Sequence, residues 1–422
     1  MLVMAALMAL QQTLAPAEQR IVRQVDAEAR QAIELLARSV DINSGTLNRA
    51  GVKRVAEQLI PEFEKLGFAT RYEALPDNML RGGHLIAERK GARGKRLLLI
   101  GHLDTVFEED SPFQRFQLID DSTAAGPGVQ DMKGGNIVLL YALRALHASG
   151  ALDNTTITVV LTGDEESAGD PVSVARASLL AAAKNSDIAL AFEGGSRDRE
   201  GDLFVIARRG SSGWTLRVTG RTAHSSGIFG NNTGAGAIFE ASRILDRFYA
   251  EVRGERNVTF NPGIIVGGDR AALDATEGTA SGKSNIVASS AIARGDLRTL
   301  TDEELQRTRD RMRAIVAQSL PGTSAEIAFE DRYPNMPPTA GNLALLQRVN
   351  EVNQALGMGT VRSFDPASRG AGDVSFVAPI IDAIDGLGPL GNGSHSDRER
   401  VDLNSLRSAT KRAAVLMYRL TR

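Results

Sequence analysis

The stretch LLLIGHLDTV, residues 97–106, joins a run of aliphatic residues to a histidine and an aspartate two positions apart. Such a run is typical of an interior strand, and side chains alternate faces along a strand, so His102 and Asp104 point the same way. One carboxylate can then orient one imidazole, a common arrangement around a metal-bound histidine. Alone, the pair is more typical of a histidine satisfied in a loop beside a helix cap, so the rest of the chain decides between the two interpretations.

Four further stretches place acidic or imidazole side chains at strand ends or in glycine-rich turns. GPGVQDMKGG carries Asp131 just before a helix, and TGDEES carries the adjacent Glu165 and Glu166 where a strand ends. LAFEGG ends a strand at Glu193, and GNGSHSDRE places His395 in a loop near the C terminus. Taken singly, each is more typical of a helix cap or a solvated acidic loop. Taken together, they form a set of ligands for a metal pair.

Two zinc ions fit this set, because the chain has no cysteine and any metal must be held by histidines and carboxylates. The interpretation assigns five ligands: Asp131 bridging both ions, His102 and Glu193 on the first ion, and Glu166 and His395 on the second. Such a pair, about 3.5–4 Å apart, lowers the pKa of a water and polarises a scissile carbonyl. Glu165 lies outside the ligand set and suits a general base that carries the water's proton to the leaving amine.

Length and charge limit the function classes. The chain has 422 residues, which predicts two domains, and its net charge of −2 with no basic tract argues against a nucleic-acid partner. Residues 1–17 combine a short apolar run with an A-x-A pattern, which predicts a signal peptide and a periplasmic or secreted protein. The alternative is a cytoplasmic protein in which this run extends a first helix that continues from Ala17 to Ser39. We expect no membrane-spanning segment.

The elements that must position these residues alternate between helix and strand from about residue 50 to 210. This order predicts an α/β fold, with a mostly parallel sheet and helices on both of its faces. In such sheets the chemistry lies at the carboxyl ends of the strands. Because His102, Glu165 and Glu193 each follow an aliphatic run, we expect them to meet at one edge of the sheet.

The pattern changes after RRGSSG to strand, helix, two strands, helix and strand. This order predicts a ferredoxin-like α+β domain inserted into the first domain. The proline-rich stretch YPNMPPT forms a stiff return. We therefore expect a catalytic zinc-binding domain over residues 18–211 and 335–422, and an inserted domain over residues 212–334.

Eight motifs occur in a fixed order along the chain: GHLDTV, GPGVQDMKGG, TGDEESAG, LAFEGG, GRTAHSS, SNIVA, GAGDVS and GSHSDRE. In this order they resemble the co-catalytic zinc exopeptidase family that includes bacterial glutamate carboxypeptidase of the carboxypeptidase G type, peptidase T, aminoacylase and acetylornithine deacetylase. The glutamate carboxypeptidase branch is the most similar, and the resemblance covers nearly the whole chain after about residue 20. It implies the same metal ligands, Glu165 as the base, and Asp104 as the residue that orients His102.

The resemblance also implies roles that spacing does not reveal. His224 in GRTAHSS matches a histidine that reaches a partner subunit's site and stabilises the oxyanion. This implies a homodimer formed through the inserted domain, which would act as a lid and dimerisation domain. Asn285 in SNIVA and Arg298 in GDLRTL match positions that contact the free carboxylate of the substrate. The loop from Gly370 to Asp373 matches one that lines the site.

Some residues depart from the family pattern. Where the glutamate carboxypeptidases have one basic residue followed by GTSG, this chain has ARRGSSG, with Arg208 and Arg209 slightly displaced. The stretch EDRYPNMPPT also differs from the arginine-containing stretch expected there. The identity of the preferred C-terminal residue therefore stays open. His84 and His147 match no motif, and we interpret both as structural.

From these observations we expect a zinc-dependent metallopeptidase with two Zn²⁺ ions per subunit, for which Co²⁺ or Mn²⁺ could substitute. Its substrate would be a small peptide or an N-acyl amino acid, cleaved at the amide bond next to a free carboxylate. A glutamate at position 193 favours carboxypeptidases and acylases within the family. The alternatives are a di- or tripeptide aminopeptidase of the same family and a catalytically silent binding module on this scaffold. Since every ligand and the base are present, the sequence argues against the silent module.

Overall fold

The computed structural model describes residues 13–274 and 277–422. The chain divides into two compact units, which are described separately. The first unit contains the chain up to Ile206 together with Pro338–Phe364 and Gly372–Arg422, and the second contains Ala207–Pro337 and Asp365–Ala371. The domain boundaries at residues 211 and 335 remain sequence predictions. Most of the predicted signal peptide, residues 1–12, lies outside the described residues.

The regular elements are numbered in chain order. The helices are α1 Pro16–Ala27, α2 Ala29–Val40, α3 Arg49–Glu64, α4 Lys133–Ala148, α5 Val172–Ala175, α6 Ala177–Lys184, α7 Ala237–Arg247, α8 Asp302–Val316, α9 Ala340–Ala355, α10 Val374–Val377 and α11 Leu403–Leu420. The strands are β1 Ala69–Glu73, β2 His84–Arg89, β3 Arg93–His102, β4 Gln117–Asp120, β5 Thr123–Ala125, β6 Thr155–Thr162, β7 Ile188–Ala191, β8 Ser196–Asp198, β9 Gly201–Phe204, β10 Ser211–Gly220, β11 Thr259–Gly268, β12 Arg270–Leu273, β13 Gly278–Ser281, β14 Ser290–Arg298, β15 Thr323–Tyr333, β16 Val361–Ser363, β17 Asp382–Ile384, β18 Gly391–Asn392 and β19 Arg400–Asp402.

The main sheet of the first unit has the strand order β1-β2-β6-β3-β7-β17. Strand β3 is parallel to both β6 and β7, and β17 is parallel to β7, whereas β1 and β2 form an antiparallel extension. The central strand β3 is buried from Leu97 to Ile100, which explains its unbroken aliphatic run. The predicted α/β fold with a mostly parallel sheet is confirmed.

This topology brings three chemistry-bearing strand ends together. Strand β3 ends at His102, β6 ends three residues before Glu165, and β7 ends two residues before Glu193. Helix α4 packs closely beneath them, because Gly135 has no side chain: a Cβ there would lie 1.9 Å from the carbonyl oxygen of Phe192. The glycines after Asp131 therefore allow the helix to approach the carboxyl end of β7.

The N-terminal helix differs from the prediction. We expected one helix from Ala17 to Ser39, but the structure has α1 and α2, separated at Glu28. The Glu28 carboxylate accepts a hydrogen bond from Arg144 of α4 at 2.6 Å. The break therefore falls at the residue that is bonded to the neighbouring helix, and the amphipathic pattern alone did not reveal this contact.

The second unit contains an antiparallel sheet with the order β11-β14-β10-β15. Trp214, Leu216 and Val218 alternate along β10 and form a core with residues of helices α7 and α8. The order β10, α7, β11, β14, α8, β15 is the predicted split arrangement, with the hairpin β12–β13 added between β11 and β14. Within residues 13–274 and 277–422, no helix combines the length and apolarity needed to cross a bilayer.

Candidate active site

His102 lies at the end of β3 and is 1% exposed. Its Nδ1 lies 3.0 Å from the backbone oxygen of Asp104 and 3.3 Å from a carboxylate oxygen of the same residue. The ring is therefore held from behind, with Nε2 directed toward the carboxylates of Asp131 and Glu193 at 3.4 and 3.6 Å. Burial opposes protonation of the ring, but the hydrogen bonds to Asp104 and Asp131 raise the pKa of His102 well above its usual value.

Asp131 occupies the glycine-rich turn before α4, and its two carboxylate oxygens face different histidines. Oδ1 lies 3.4 Å from Nε2 of His102, and Oδ2 lies 3.2 Å from Nε2 of His395. Both hydrogen bonds lower the pKa of Asp131 against the effect of burial. The carboxylate therefore stands between the two imidazoles, which is the arrangement expected of a bridging ligand.

His395 belongs to the loop between β18 and β19 and has a positive φ of 64°. Its Nε2 lies 3.2 Å from both Asp131 and Glu166. These two carboxylates raise the pKa of His395 to about 11. Distant parts of the chain thus bring the second histidine to the opposite side of Asp131 from His102.

The pair Glu165 and Glu166 follows β6 in a turn whose backbone is fixed by Asp104. The amides of Glu165 and Glu166 donate to the two oxygens of Asp104 at 3.0 and 3.1 Å. Thr46 also donates to Asp104 at 2.7 Å, and this carboxylate is fully buried. The structure therefore gives Asp104 a second task beyond orienting His102, and sequence reasoning missed both this task and Thr46.

The carboxylates are crowded in a way that favours a cation. Burial and the charge of Glu193 raise the pKa of Glu165 well above its usual value, and burial also raises the pKa of Glu166. Among the described residues, the buried atom Glu166 Oε1 has no hydrogen-bond partner, and His102 Nε2 has none closer than the carboxylate of Asp131 at 3.4 Å. Orphaned ligand atoms of this kind are costly unless something binds them. The site thus fits divalent cations held by imidazole and carboxylate.

Two sets of side chains have ligand atoms that all lie within 4.8 Å of one another. One is His102 with Asp131 and Glu166, and the other is His102 with Glu165 and Glu193. The second set includes Glu165, which the sequence interpretation placed outside the ligands. Glu165 therefore lies beside the proposed ligands His102 and Glu193.

Glu399 was not identified from the sequence, although it lies only four residues after His395. Its buried carboxylate accepts the backbone amides of Gly128, Gln130 and Asp131 at 3.0, 2.9 and 2.9 Å. Burial raises the pKa of Glu399 to about 7, against these hydrogen bonds. One carboxylate thus ties the loop of the second histidine to the turn of the bridging aspartate.

Asp373 was predicted to bind substrate, and the structure places its side chain inside the protein. The side chain is 4% exposed, one oxygen pairs with Arg176 at 2.7 Å, and the other accepts a hydrogen bond from Thr162 at 2.5 Å. Arg176 is fully buried and also pairs with Asp164 at 2.6 Å. Because both carboxylate oxygens have partners inside the protein, Asp373 supports the turn beside Glu165, and its contact with substrate stays a prediction.

In the second unit, His224 and Asn285 lie side by side. The amide of Ser225 donates to the carbonyl oxygen of Asn285 at 2.9 Å, and His224 forms a β-bridge with Ile286. His224 is exposed, and its Nδ1 accepts the amide of Ser226 at 3.2 Å. When neutral, the ring therefore carries its proton on Nε2, which makes that atom a hydrogen-bond donor.

The predicted carboxylate-binding residue Arg298 ends β14 and pairs with Asp296 at 3.0 Å. Burial and the nearby charge of Arg298 lower the pKa of Arg209, so the two guanidinium groups are neighbours. Arg208 donates to the carbonyl oxygen of Gly370 at 2.7 Å. Gly370, which was predicted to contact substrate, is exposed. Its carbonyl is bonded to Arg208, one of the two arginines that are displaced relative to the family pattern.

Comparisons with known proteins agree with this geometry. Residues 98–419 match Peptidase family M20/M25/M40. Carboxypeptidase G2 of Pseudomonas sp. (strain RS-16) is 28% identical over 399 residues, which cover 92% of this chain and 89% of that protein. A succinyl-diaminopimelate desuccinylase of Methylocella silvestris is 30% identical over 174 residues, 39% of this chain and 44% of that protein.

Solved structures show the same fold. Aminopeptidase PepT from Bacillus cereus superimposes with a TM-score of 0.72 at 18% identity, covering 93% of this chain and 99% of that one. An M20 family metallo-carboxypeptidase from Sulfolobus solfataricus superimposes with a TM-score of 0.65 at 16% identity, covering 92% of this chain and 98% of that one. The chain therefore belongs to Peptidase family M20/M25/M40, a metal-dependent family, and is a hydrolase of amide bonds.

Proposed function

We propose that the protein is a carboxypeptidase or N-acyl amino acid amidohydrolase that uses two Zn²⁺ ions per subunit and cleaves the amide bond next to a free carboxylate. The observation that carries the metal pair is Asp131, whose two oxygens face His102 and His395 at 3.4 and 3.2 Å. In this proposal His102 and Glu193 hold the first ion, and Glu166 and His395 hold the second. Co²⁺ or Mn²⁺ could replace zinc in the same set of nitrogen and oxygen ligands.

The protein's own residues would divide the proton transfers between them. When bound, the ion pair lowers the pKa of a water and polarises the scissile carbonyl. Glu165 takes the proton of the attacking water and delivers it to the leaving nitrogen. Its backbone amide donates to Asp104, and this hydrogen bond fixes the turn from which the base acts. His224 donates from Nε2 to the carbonyl oxygen as negative charge develops on it.

Recognition of a free carboxylate is assigned to the second unit. Arg298 and Asn285 would bind this group, and the neighbouring guanidinium of Arg209 adds positive charge to the same region. The similarity to carboxypeptidase G2, which spans 92% of the chain, supports this choice. A di- or tripeptide aminopeptidase is the main alternative, but the similarity to PepT is one of fold.

Paired substrates test the proposal. Zinc-loaded protein is given N-blocked dipeptides that end in Glu, Asp, Phe, Leu or Ala, and the same peptides with free amines and amidated C termini. Cleavage of the blocked peptides with free carboxylates supports the proposal and names the preferred residue. Cleavage of only the amidated peptides with free amines makes the protein an aminopeptidase. A protein that binds no zinc or cobalt on dialysis and cleaves neither set is the silent binding module.

A homodimer formed through the second unit would bring His224 to the partner's site. This unit exposes a patch of apolar side chains: Phe229, Ile238, Phe239 and Ile265. The rings of Phe229 and Phe239 lie 5.8 Å apart, and Ile238 packs over Gly267 of β11. Exposed apolar patches of this kind are typical of subunit contacts.

Mixed dimers test the cross-subunit role of His224. Subunits carrying His224→Ala are combined with subunits carrying Asp131→Ala, each inactive on its own. Recovered activity in the isolated heterodimer means that one intact site forms from the two chains. Heterodimers with no more activity than either homodimer would show that His224 acts within its own subunit or not at all.

Export to the periplasm or the medium is the location that we propose, with the cytoplasm as the alternative. The support is the composition of residues 1–17. Cell fractionation followed by N-terminal sequencing tests it. An exported protein that begins at or near residue 18 supports the proposal, and a cytoplasmic protein that begins at Met1 contradicts it.

A further inference from the structure

The second unit contains a cavity of about 310 Å³ between the C-terminal end of α7 and strand β11. Its inner wall is aromatic: the ring of Phe248 lies 5.9 Å from Trp214 and 6.4 Å from Phe260, both in edge-to-face arrangements. Trp214 and Phe248 are each 1% exposed. The volume falls within the range of small-molecule sites, and such walls favour a flat apolar group.

Two backbone irregularities border this cavity. Helix α7 continues into a π-helical turn, Phe248–Val252, which carries Phe248 in the wall and Tyr249 at the rim. On the opposite side, the edge strand β11 has a register shift against β14 between Pro262 and Ile264. Both π-helical turns and β-bulges are frequent at binding sites, where they move a side chain or open space.

The one charged residue among those that line the cavity is Arg253. Its guanidinium lies 3.8 Å from the centre of the Tyr249 ring, which is 60% exposed. In the described part of the chain, Arg253 has no ion pair with a carboxylate, whereas the nearby Arg247 is paired with Glu251. A guanidinium held on an aromatic face at the mouth of an apolar cavity presents its donors to an incoming carboxylate.

We propose that this cavity binds aromatic monocarboxylates, with the ring packed against the wall formed by Trp214, Phe248 and Phe260 and the carboxylate on Arg253. The cavity residues all belong to the second unit, whereas the candidate metal ligands belong to the first. Ligand binding in this cavity does not depend on the proposed peptidase activity. The cavity would still bind the ligand in a variant whose metal centre is disabled.

Trp214 is the only tryptophan in the chain and lines this cavity, so its fluorescence gives a direct signal for binding there. The full-length protein is titrated with 3-phenylpropionate, with the neutral 3-phenylpropanamide, and with acetate, which lacks the ring. A saturable fluorescence change with 3-phenylpropionate, and at least about tenfold weaker responses to the other two compounds, supports the site. Equal responses to the acid and the amide, or no saturable response to the acid, overturn it.

Two variants separate the cavity from other anion sites. Arg253→Gln should weaken binding of 3-phenylpropionate at least about tenfold. Arg256→Gln is the matched control, because Arg256 lies three residues further along, is 82% exposed and does not line the cavity. Unchanged binding in Arg253→Gln overturns the assignment of the carboxylate.

An Asp131→Asn variant tests whether the metal centre is involved. The fluorescence response to 3-phenylpropionate should persist in this variant with an unchanged Kd. Loss of the response would place the ligand at the metal centre and overturn the proposal. Failure of the peptidase assays, by contrast, would leave the fluorescence result unaffected.

Discussion

Asp104 accepts the backbone amide of Glu165 at 3.0 Å, so the residue that follows β3 holds the turn that follows β6. The same carboxylate accepts the amide of Glu166 at 3.1 Å and lies 3.3 Å from Nδ1 of His102. It is fully buried, and the hydroxyl of Thr46 donates to it as well. One side chain therefore positions an imidazole and two adjacent carboxylates of the candidate site.

Replacement of the Asp104 carboxylate should lower both metal affinity and catalytic rate. In Asp104→Asn, the amide group of the new side chain would meet the amide of Glu165 or Glu166, donor against donor. We expect metal affinity and kcat each to fall about 10–100-fold, which is typical when a residue behind a metal ligand is lost. Metal content after dialysis against graded chelator, with kcat on reloaded protein, measures both. The control is Asp120→Asn, an exposed carboxylate that bonds only to Ser122 and Thr123. Full metal retention and activity in Asp104→Asn would contradict this role.

The two adjacent glutamates should fail in different ways. Glu165→Gln keeps a side chain of the same size and should retain the metals while losing about 10²–10⁴-fold in kcat, because a proton carrier is removed. Glu166→Gln should instead lose metal, since Glu166 is a proposed ligand whose carboxylate faces Nε2 of His395 at 3.2 Å. Metal analysis and kcat on both variants separate the roles. If Glu165→Gln loses metal and Glu166→Gln does not, the two assignments must be exchanged.

Strand ends were the most predictable part of this protein. An aliphatic run that ends in a polar residue signals a buried strand in a parallel sheet, and parallel strands end on one side. This reasoning placed His102, Glu165 and Glu193 together, and the structure does so. His395 could not be placed in this way, since it lies in a loop some 200 residues further along, and it was assigned from its residue type and its glycine-rich loop, with the family resemblance in agreement.

Residues that support the site through hydrogen bonds, without being proposed ligands, were harder to predict from the sequence. Glu399 and Thr46 act through hydrogen bonds to backbone amides and to Asp104, and a hydrogen bond to a distant amide leaves no periodic signal in a sequence. The buried ion pair of Asp373 was missed for the same reason. Its motif, GAGDVS, gives no sign of the buried Arg176 that pairs with it. Spacing predicts which residues share a strand end but not which partners their oxygen atoms find.

Removal of the metals should destabilise the folded protein. The carboxylates of Asp131 and Glu193 both face Nε2 of His102, and those of Asp131 and Glu166 both face Nε2 of His395, so the site concentrates negative charge that cations would neutralise. Ligands that bind only the native state stabilise it by mass action, by about 2.7 kcal/mol at a hundredfold excess over Kd. Chelation should therefore lower Tm, and Zn²⁺, Co²⁺ or Mn²⁺ should restore it.

Differential scanning fluorimetry with and without chelator measures this effect. The control is Asp131→Asn, which lacks the bridging carboxylate and should show little change in Tm on chelation. An equal fall in Tm in this variant would place the stabilising metal elsewhere in the protein.

Glu399 should matter for stability as much as for activity. Its carboxylate accepts three backbone amides, and Glu399→Gln replaces one acceptor oxygen by a donor. The loss of such buried hydrogen bonds costs about 1–3 kcal/mol. Denaturant unfolding compares this variant with Arg398→Gln, an exposed neighbour whose side chain points to solvent. An unchanged free energy of unfolding in Glu399→Gln would show that the two loops hold together without it.

The pair Glu18–Arg419 predicts a pH dependence of stability away from the active site. Burial opposes ionisation of Glu18, but hydrogen bonds from Arg419 and the amide of Ala15 together lower its pKa below the usual 4.5. A carboxylate whose pKa is lower in the folded state stabilises the protein fully above its unfolded pKa, and this contribution disappears as the pH falls through the folded pKa.

Glu18→Gln should therefore cost about 1–3 kcal/mol at pH 7 and progressively less below pH 4.5. Denaturant unfolding at pH 7 and at a pH below 4.5 tests this. The control is Glu34→Gln, because Glu34 is exposed and its pair with Arg30 should contribute little to stability. A cost in Glu18→Gln that stays constant as the pH falls would show that the altered hydrogen bonds, and not the charge, account for the destabilisation.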